Sequence, residues 1–221
     1  MNINHNLLLL CALSLSTAFA QEEGTASNAP ISSLKLSDNR TQEKRINFLL
    51  EVAQAYVREQ DNLAAIDAYE RILKINPAQP QARYTVTHIY INAKQYQKAE
   101  TLLLELLEER PEDFTLLNNL AWMYATAEDP SMRDGKKAIK YAHRAMLIAP
   151  NDHHVWSTLS EAHYVSGDYE KAHRAVTHMA RLATRYGKNI TEQSVKDYNE
   201  QIRKCKRAMD TAEAMNDEDA E

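Results

Sequence analysis

Six of the eight histidines, His143, His153, His154, His163, His173 and His178, lie in the last third of the chain. A neutral imidazole is the commonest protein ligand for a transition metal, and it titrates near neutral pH. Metal chemistry and a pH-sensitive interface are therefore the two roles open to this cluster. A helical metal site sets two rings on one face by placing them at i and i+4, whereas His173 and His178 are five residues apart and His163 precedes them on a separate helix. No cysteine joins them, so the spacing supplies no ligand set. Other catalytic signatures are missing as well. The four glycines, at 24, 135, 167 and 187, stand singly in linkers or turns, which leaves no loop to cradle a phosphate. No nucleophile stands at a recognisable spacing from a base. The expectation is a chain that is not an enzyme, with no catalytic residue, no cofactor and no resident metal. A metal-binding protein using these histidines is the alternative from another class.

The elements that carry these side chains repeat. Pro77 and Pro111 lie thirty-four positions apart, and each closes a segment in which the same residue types recur at the same offsets. Counting back from Pro77 places Leu49, Val52, Ala53 and Tyr56 on a first helix and Ala65, Tyr69 and Ile72 on a second. The next unit carries Val86, Thr87, Tyr90, Ala99, Leu103 and Leu106 at those offsets, with Arg83 and Thr87 standing where the first unit has Leu49 and Ala53. A third unit, with Leu117, Leu120, Ala121, Tyr124, Ala138, Ala142, Ala145 and Pro150, fits once five extra residues are allowed within 129–135. The fourth has Trp156, Leu159, Ser160, His163, Ala172, Val176 and Met179 but no closing proline. Alanine at these offsets lets two helices approach closely while aromatic and branched residues fill the space beside it. The insertion has its own signals: Asp129-Pro130 stops a helix, and Ser131 or Asp134 can cap the next one. A contact role for Arg133 is the functional alternative.

This pattern resembles the tetratricopeptide repeat family, whose helix-turn-helix units recur with the same period. The resemblance implies an all-α, right-handed α-solenoid of about four repeats plus a C-terminal capping helix. The array is expected over 40–184, as units 46–79, 80–113, 114–152 with the insertion, and 153–184, followed by the capping helix at 191–215 and an acidic tail at 216–221. His163 takes the position of the usual first-helix tyrosine, which implies packing between helices.

Residues 1–20 contain no Lys, Arg, Asp or Glu, and an apolar run from Leu7 to Leu15 precedes Ala18-Phe19-Ala20. These are the marks of a secretory signal with a small-residue cleavage site. Cys11 sits inside the apolar run rather than after the cleavage site, which argues against a lipid anchor. Cleavage leaves Cys205 as the remaining thiol, expected to be buried in the last helix or available for an intermolecular bridge. Residues 21–39, with Gly24, Pro30 and four serines, read as a flexible linker. The signal and the insertion resemble exported bacterial tetratricopeptide proteins, which makes the periplasm the expected address, with no stable membrane span after cleavage. The sequons at Asn39 and Asn189 matter only in a eukaryotic host.

Asp217, Glu218, Asp219 and Glu221 account for four of the five net negative charges, so the array itself is nearly balanced. A nucleic-acid footprint needs concentrated positive charge and is not expected. Lys196, Arg203, Lys204, Lys206 and Arg207 read as a solvated helical face.

In the resembling family the concave groove is lined by the first helix of each unit. The resemblance places there Asn47, Leu50, Gln54 and Val57, then Gln81, Tyr84, His88 and Ile91. The later units add Thr115, Asn118, Trp122 and Ala125, then His154, Ser157, Glu161 and Tyr164. Amides able to bond a peptide backbone, with Tyr84, Trp122 and Tyr164 as anchors, suit an extended segment or helix of a protein partner. Leu50, Gln54, Tyr84 and His88 stand where a carboxylate clamp would carry basic residues, so that clamp is not expected. The sequence thus reads as a non-enzymatic interaction module of the cell envelope, alternatively one component of a larger membrane-linked secretion, pilus or wall-assembly machine. Partner identity and oligomeric state are not encoded in any motif.

Overall fold

The structure, a computed structural model, describes residues 30–186 and 191–218. The secretory signal expected over 1–20, the sequon at Asn189 and the end of the acidic tail lie outside the described residues. Within them the chain is all-α and contains no strand. Its helices are α1 (Pro30–Arg58), α2 (Asn62–Ile75), α3 (Pro80–Asn92), α4 (Tyr96–Glu109), α5 (Phe114–Thr126), α6 (Gly135–Ile148), α7 (His153–Val165), α8 (Tyr169–Tyr186) and α9 (Glu192–Glu218).

Local chemistry sets where these helices start. Asp61, Asp113, Asp134 and Asp152 are N-caps whose carboxylates accept from backbone N–H groups of the first turn, and Gln79 does the same for α3 ahead of Pro80. Each cap satisfies donors that a helix start leaves without intrahelical partners. Two of the short turns between paired helices use a left-handed residue, Gln60 at φ 61° and Lys94 at φ 61°, which stand one repeat period apart. The turn between α7 and α8 uses Gly167 at φ 79°, the residue that adopts this conformation without steric cost.

One expectation is corrected at the front of the array. Residues 30–39, which composition assigns to a flexible linker, form the first turns of α1. Proline is tolerated at the start of a helix because its missing N–H is not needed there. Once α1 is nucleated by packing further along, each added residue propagates the helix at low cost.

The chain divides after Ala93 into two compact units. In the first, α2 packs against both α1 and α3. Leu49, Ala53, Ala65, Tyr69, Ile72 and Val86 are buried, and the Tyr90 hydroxyl on α3 donates to Glu70 Oε1 on α2 at 3.0 Å. In the second unit, α5 packs on α4, α6 and α7, α7 on α6 and α8, and α9 closes on α8. Ala138, Ala142 and Ala145 are fully buried on α6, and these small residues let Leu117, Leu120 and Tyr124 of α5 approach. On α9 Tyr198 and Cys205 are buried.

The insertion forms an ordered loop between α5 and α6. Arg133, although exposed, is tied back to the loop: its Nε and Nη2 both donate to the Ala127 carbonyl, at 3.0 and 2.9 Å. Glu128 accepts from Lys94 Nζ at 2.7 Å, and its backbone N–H donates to the Tyr96 hydroxyl at 3.1 Å. Asp134 donates its N–H to the Tyr124 carbonyl at 3.0 Å and caps α6. The residue types of the insertion therefore fasten it to the start of α4 and the end of α5.

Candidate functional site

In the first unit the candidate residues fall on α1 and α3. Asn47 and Gln54 are exposed on α1 and seven residues apart, hence on one helical face. On α3 Gln81 is exposed, while Tyr84 and His88 are half-buried. His88 Nε2 lies 3.2 Å from Asn92 Nδ2, and burial pushes the imidazole below its usual range, so the ring is neutral. The five candidate side chains are amides, a phenol and a neutral imidazole.

In the second unit the candidates lie on α5 and α7, which pack against each other. Asn118 and Trp122 are one turn apart, and His154, Ser157, Glu161 and Tyr164 repeat at intervals of three and four, so each set occupies one face of its helix. Asn118 and Ser157 sit at the base of these rows, 4% and 7% exposed, and Trp122, His154, Glu161 and Tyr164 are half-buried. Asn118 Oδ1 has no hydrogen-bond partner among the described residues. A buried amide oxygen left without a donor is costly, and a donor arriving with a ligand would remove that cost.

The far end of the α7 row is already engaged. Lys204 of α9 places Nζ 3.2 and 3.1 Å from the two Glu161 carboxylate oxygens and 4.0 Å from the centroid of the Tyr164 ring. Tyr164 also packs edge-on against Tyr169, with centroids 5.3 Å apart. Lys204 was legible in the sequence only as one member of a basic stripe, because its direction depends on how α9 docks. Beside it Cys205 is 2% exposed, its Sγ 3.8 Å from Ser160 Oγ, and burial pushes the thiol up.

The histidines do not form one centre. His143 and His163 pack edge to face at 5.8 Å, and His178 tilts against Trp156 at 4.2 Å. Trp156 Nε1 donates to the Pro150 carbonyl at 2.7 Å. His163 is 5% exposed, as its position between helices requires; burial lowers its pKa, the nearby Asp168 opposing the shift while His143 and Lys171 add to it. The donors that do converge belong to consecutive residues, Asp152, His153 and His154, at the start of α7. Reasoning from i and i+4 spacing misses them, although an N-cap aspartate followed directly by two histidines is the signal that could have found them.

Paired helices with buried alanines at the crossings, aspartate caps and left-handed turns one period apart make a specific constellation, and residues 56–121 match the tetratricopeptide repeat family. The chain carries tetratricopeptide repeats. No curated protein sequence matches it. Its fold is similar to that of MamA from Desulfovibrio magneticus RS-1, with a TM-score of 0.52 at 16% identity over 76% of this chain and 96% of that one. A thermophilic tetratricopeptide protein of Thermus thermophilus matches with a TM-score of 0.52 and 18% identity over 74% of this chain and 89% of the other. Likeness at such identity shows the fold alone. A mutant O-GlcNAc transferase from Thermobaculum terrenum reaches a TM-score of 0.54 and 26% identity, over 66% of this chain but 27% of the transferase. Tetratricopeptide repeats are a protein-interaction fold, and no helix among the described residues is long and apolar enough to cross a membrane.

Proposed function

We propose that this tetratricopeptide protein is a non-enzymatic adaptor of the cell envelope that binds a peptide or helix of a protein partner on the first-helix faces of its repeats. The observation that carries the reading is the packed pair α5 and α7, where the half-buried Trp122 lies one turn from the buried Asn118, whose Oδ1 lacks a donor. A half-buried tryptophan supplies anchor area, and an amide oxygen accepts from a partner's backbone N–H. Export rests on the uncharged apolar leader with its small-residue cleavage site, and the periplasm is the compartment that this leader favours.

The test is affinity capture from the envelope of the producing cell with the exported chain and with Trp122→Ala and Tyr84→Ala variants. A partner that binds the wild type and is lost from at least one variant supports the reading. Equal recovery by all three places the contact elsewhere. Osmotic shock separates the adaptor from a fixed component of a larger machine: a free adaptor is released, whereas a machine component pellets with the membrane.

A further inference from the structure

We propose that Asp152, His153 and His154 form a binding site for a divalent transition metal of the zinc type, built on the N-cap of α7. One donor atom from each residue lies within 4.8 Å of the other two. A tetrahedral zinc site with bonds of about 2.0–2.1 Å separates its donors by about 3.3 Å. The Asp152 Oδ1 to His154 Nδ1 separation is already 3.1 Å, and the His153 and His154 ring centroids are 4.0 Å apart.

The carboxylate donor is held in place by the helix start. Asp152 Oδ1 accepts from the His154 backbone N–H at 2.8 Å, which fixes the carboxylate at the head of the helix. A carboxylate offers about four lone pairs, so capping leaves capacity for a metal. In the bound state the cation replaces the proton between His154 Nδ1 and Asp152 Oδ1, and the imidazole proton resides on Nε2. Two imidazoles and one carboxylate suit zinc, nickel or copper(II) rather than magnesium, which requires oxygen donors. Three protein donors leave a fourth position for water. The positive end of the α7 dipole opposes any cation here, which makes the Asp152 charge necessary rather than incidental.

The proposal does not depend on the adaptor reading and is tested without a partner. The purified chain is stripped with chelator and titrated with zinc, then with magnesium, by calorimetry and thermal denaturation. One equivalent of zinc is expected to bind and raise the Tm, and magnesium is not. A His153→Ala, His154→Ala double variant should weaken zinc at least tenfold, and so should Asp152→Asn, which retains the cap but not the charge. A His173→Ala, His178→Ala variant should bind as the wild type does. The proposal is overturned if the wild type binds no zinc, if the His153/His154 and Asp152→Asn variants bind it undiminished, or if His173/His178 proves to be the pair that matters. Circular dichroism of each metal-free variant ensures that a loss is read from a folded chain.

Discussion

Replacing Gly135 by alanine should destabilise the second unit, and the structure indicates by how much. Gly135 is the first residue of α6, and a Cβ built there lands on Ser166 Oγ, with Ser166 Cβ at 3.3 Å and its Cα at 3.4 Å. Ser166 Oγ donates to the Ala162 carbonyl at 2.8 Å, so yielding breaks that bond. Losing such a bond costs about 0.5–1.5 kcal/mol, and residual crowding adds to it within the roughly 1–3 kcal/mol range of overpacking. Ser166 is exposed, so its hydroxyl can rotate into water, which holds the cost toward the lower end. Alanine's better helix propensity returns at most about 1 kcal/mol, and less in a first turn. The net loss is about 1–2 kcal/mol, or a Tm lower by about 3–10 °C for a unit of this size. Urea and thermal denaturation of Gly135→Ala, Ser166→Ala and the double variant form a cycle. The hydroxyl is the first obstacle, so the double variant should recover about 1 kcal/mol relative to the sum of the singles. A neutral Gly135→Ala, or strictly additive singles, would refute the argument.

Four further outcomes follow from other contacts. Lys204→Met keeps the aliphatic stem but strands Glu161, whose side chain is 16% exposed, and should cost about 1–2 kcal/mol with faster amide exchange in α9. Acidification should lower stability between about pH 7 and 5.5. Burial holds His163 and His88 below their unfolded pKa near 6.5, so the unfolded chain takes up more protons there and stability rises with pH; a His163→Gln variant should show a shallower decline in Tm. Cys205, buried and with its thiol pushed up, should resist a thiol reagent until denaturant opens α9, and prompt labelling of the native chain would contradict that packing. Gln60→Gly should stabilise the first unit by up to about 1 kcal/mol, because it relieves a left-handed residue in an exposed turn, and a lower urea midpoint would count against this.

The repeat was legible in the sequence because close helix crossings demand small residues at fixed offsets: Ala99, Ala121, Ala138 and Ala172 are fully buried where the pattern requires it. Asp129-Pro130 and Asp134 likewise announced a helix end and a cap. The front of α1 was not legible, since residues 30–39 lack a periodic apolar face and are helical by continuation from a docked segment. Glu161 and Tyr164 looked open because their types and offsets suit a groove. Only the docking of α9 reveals that Lys204 occupies them. Asp152, His153 and His154 were passed over for a related reason: a cap residue turns its side chain back onto the first turn, and a search for rings one turn apart does not look there.

The central claim, that the α5/α7 face receives a protein partner, is tested most directly by site-specific photo-cross-linking in the producing cell. A photoreactive phenylalanine replaces Trp122 in one strain and the exposed Lys140 of α6 in another. The account predicts a discrete cross-linked partner from position 122 and none from position 140. Cross-links from position 140 alone, or equally from both, would contradict it.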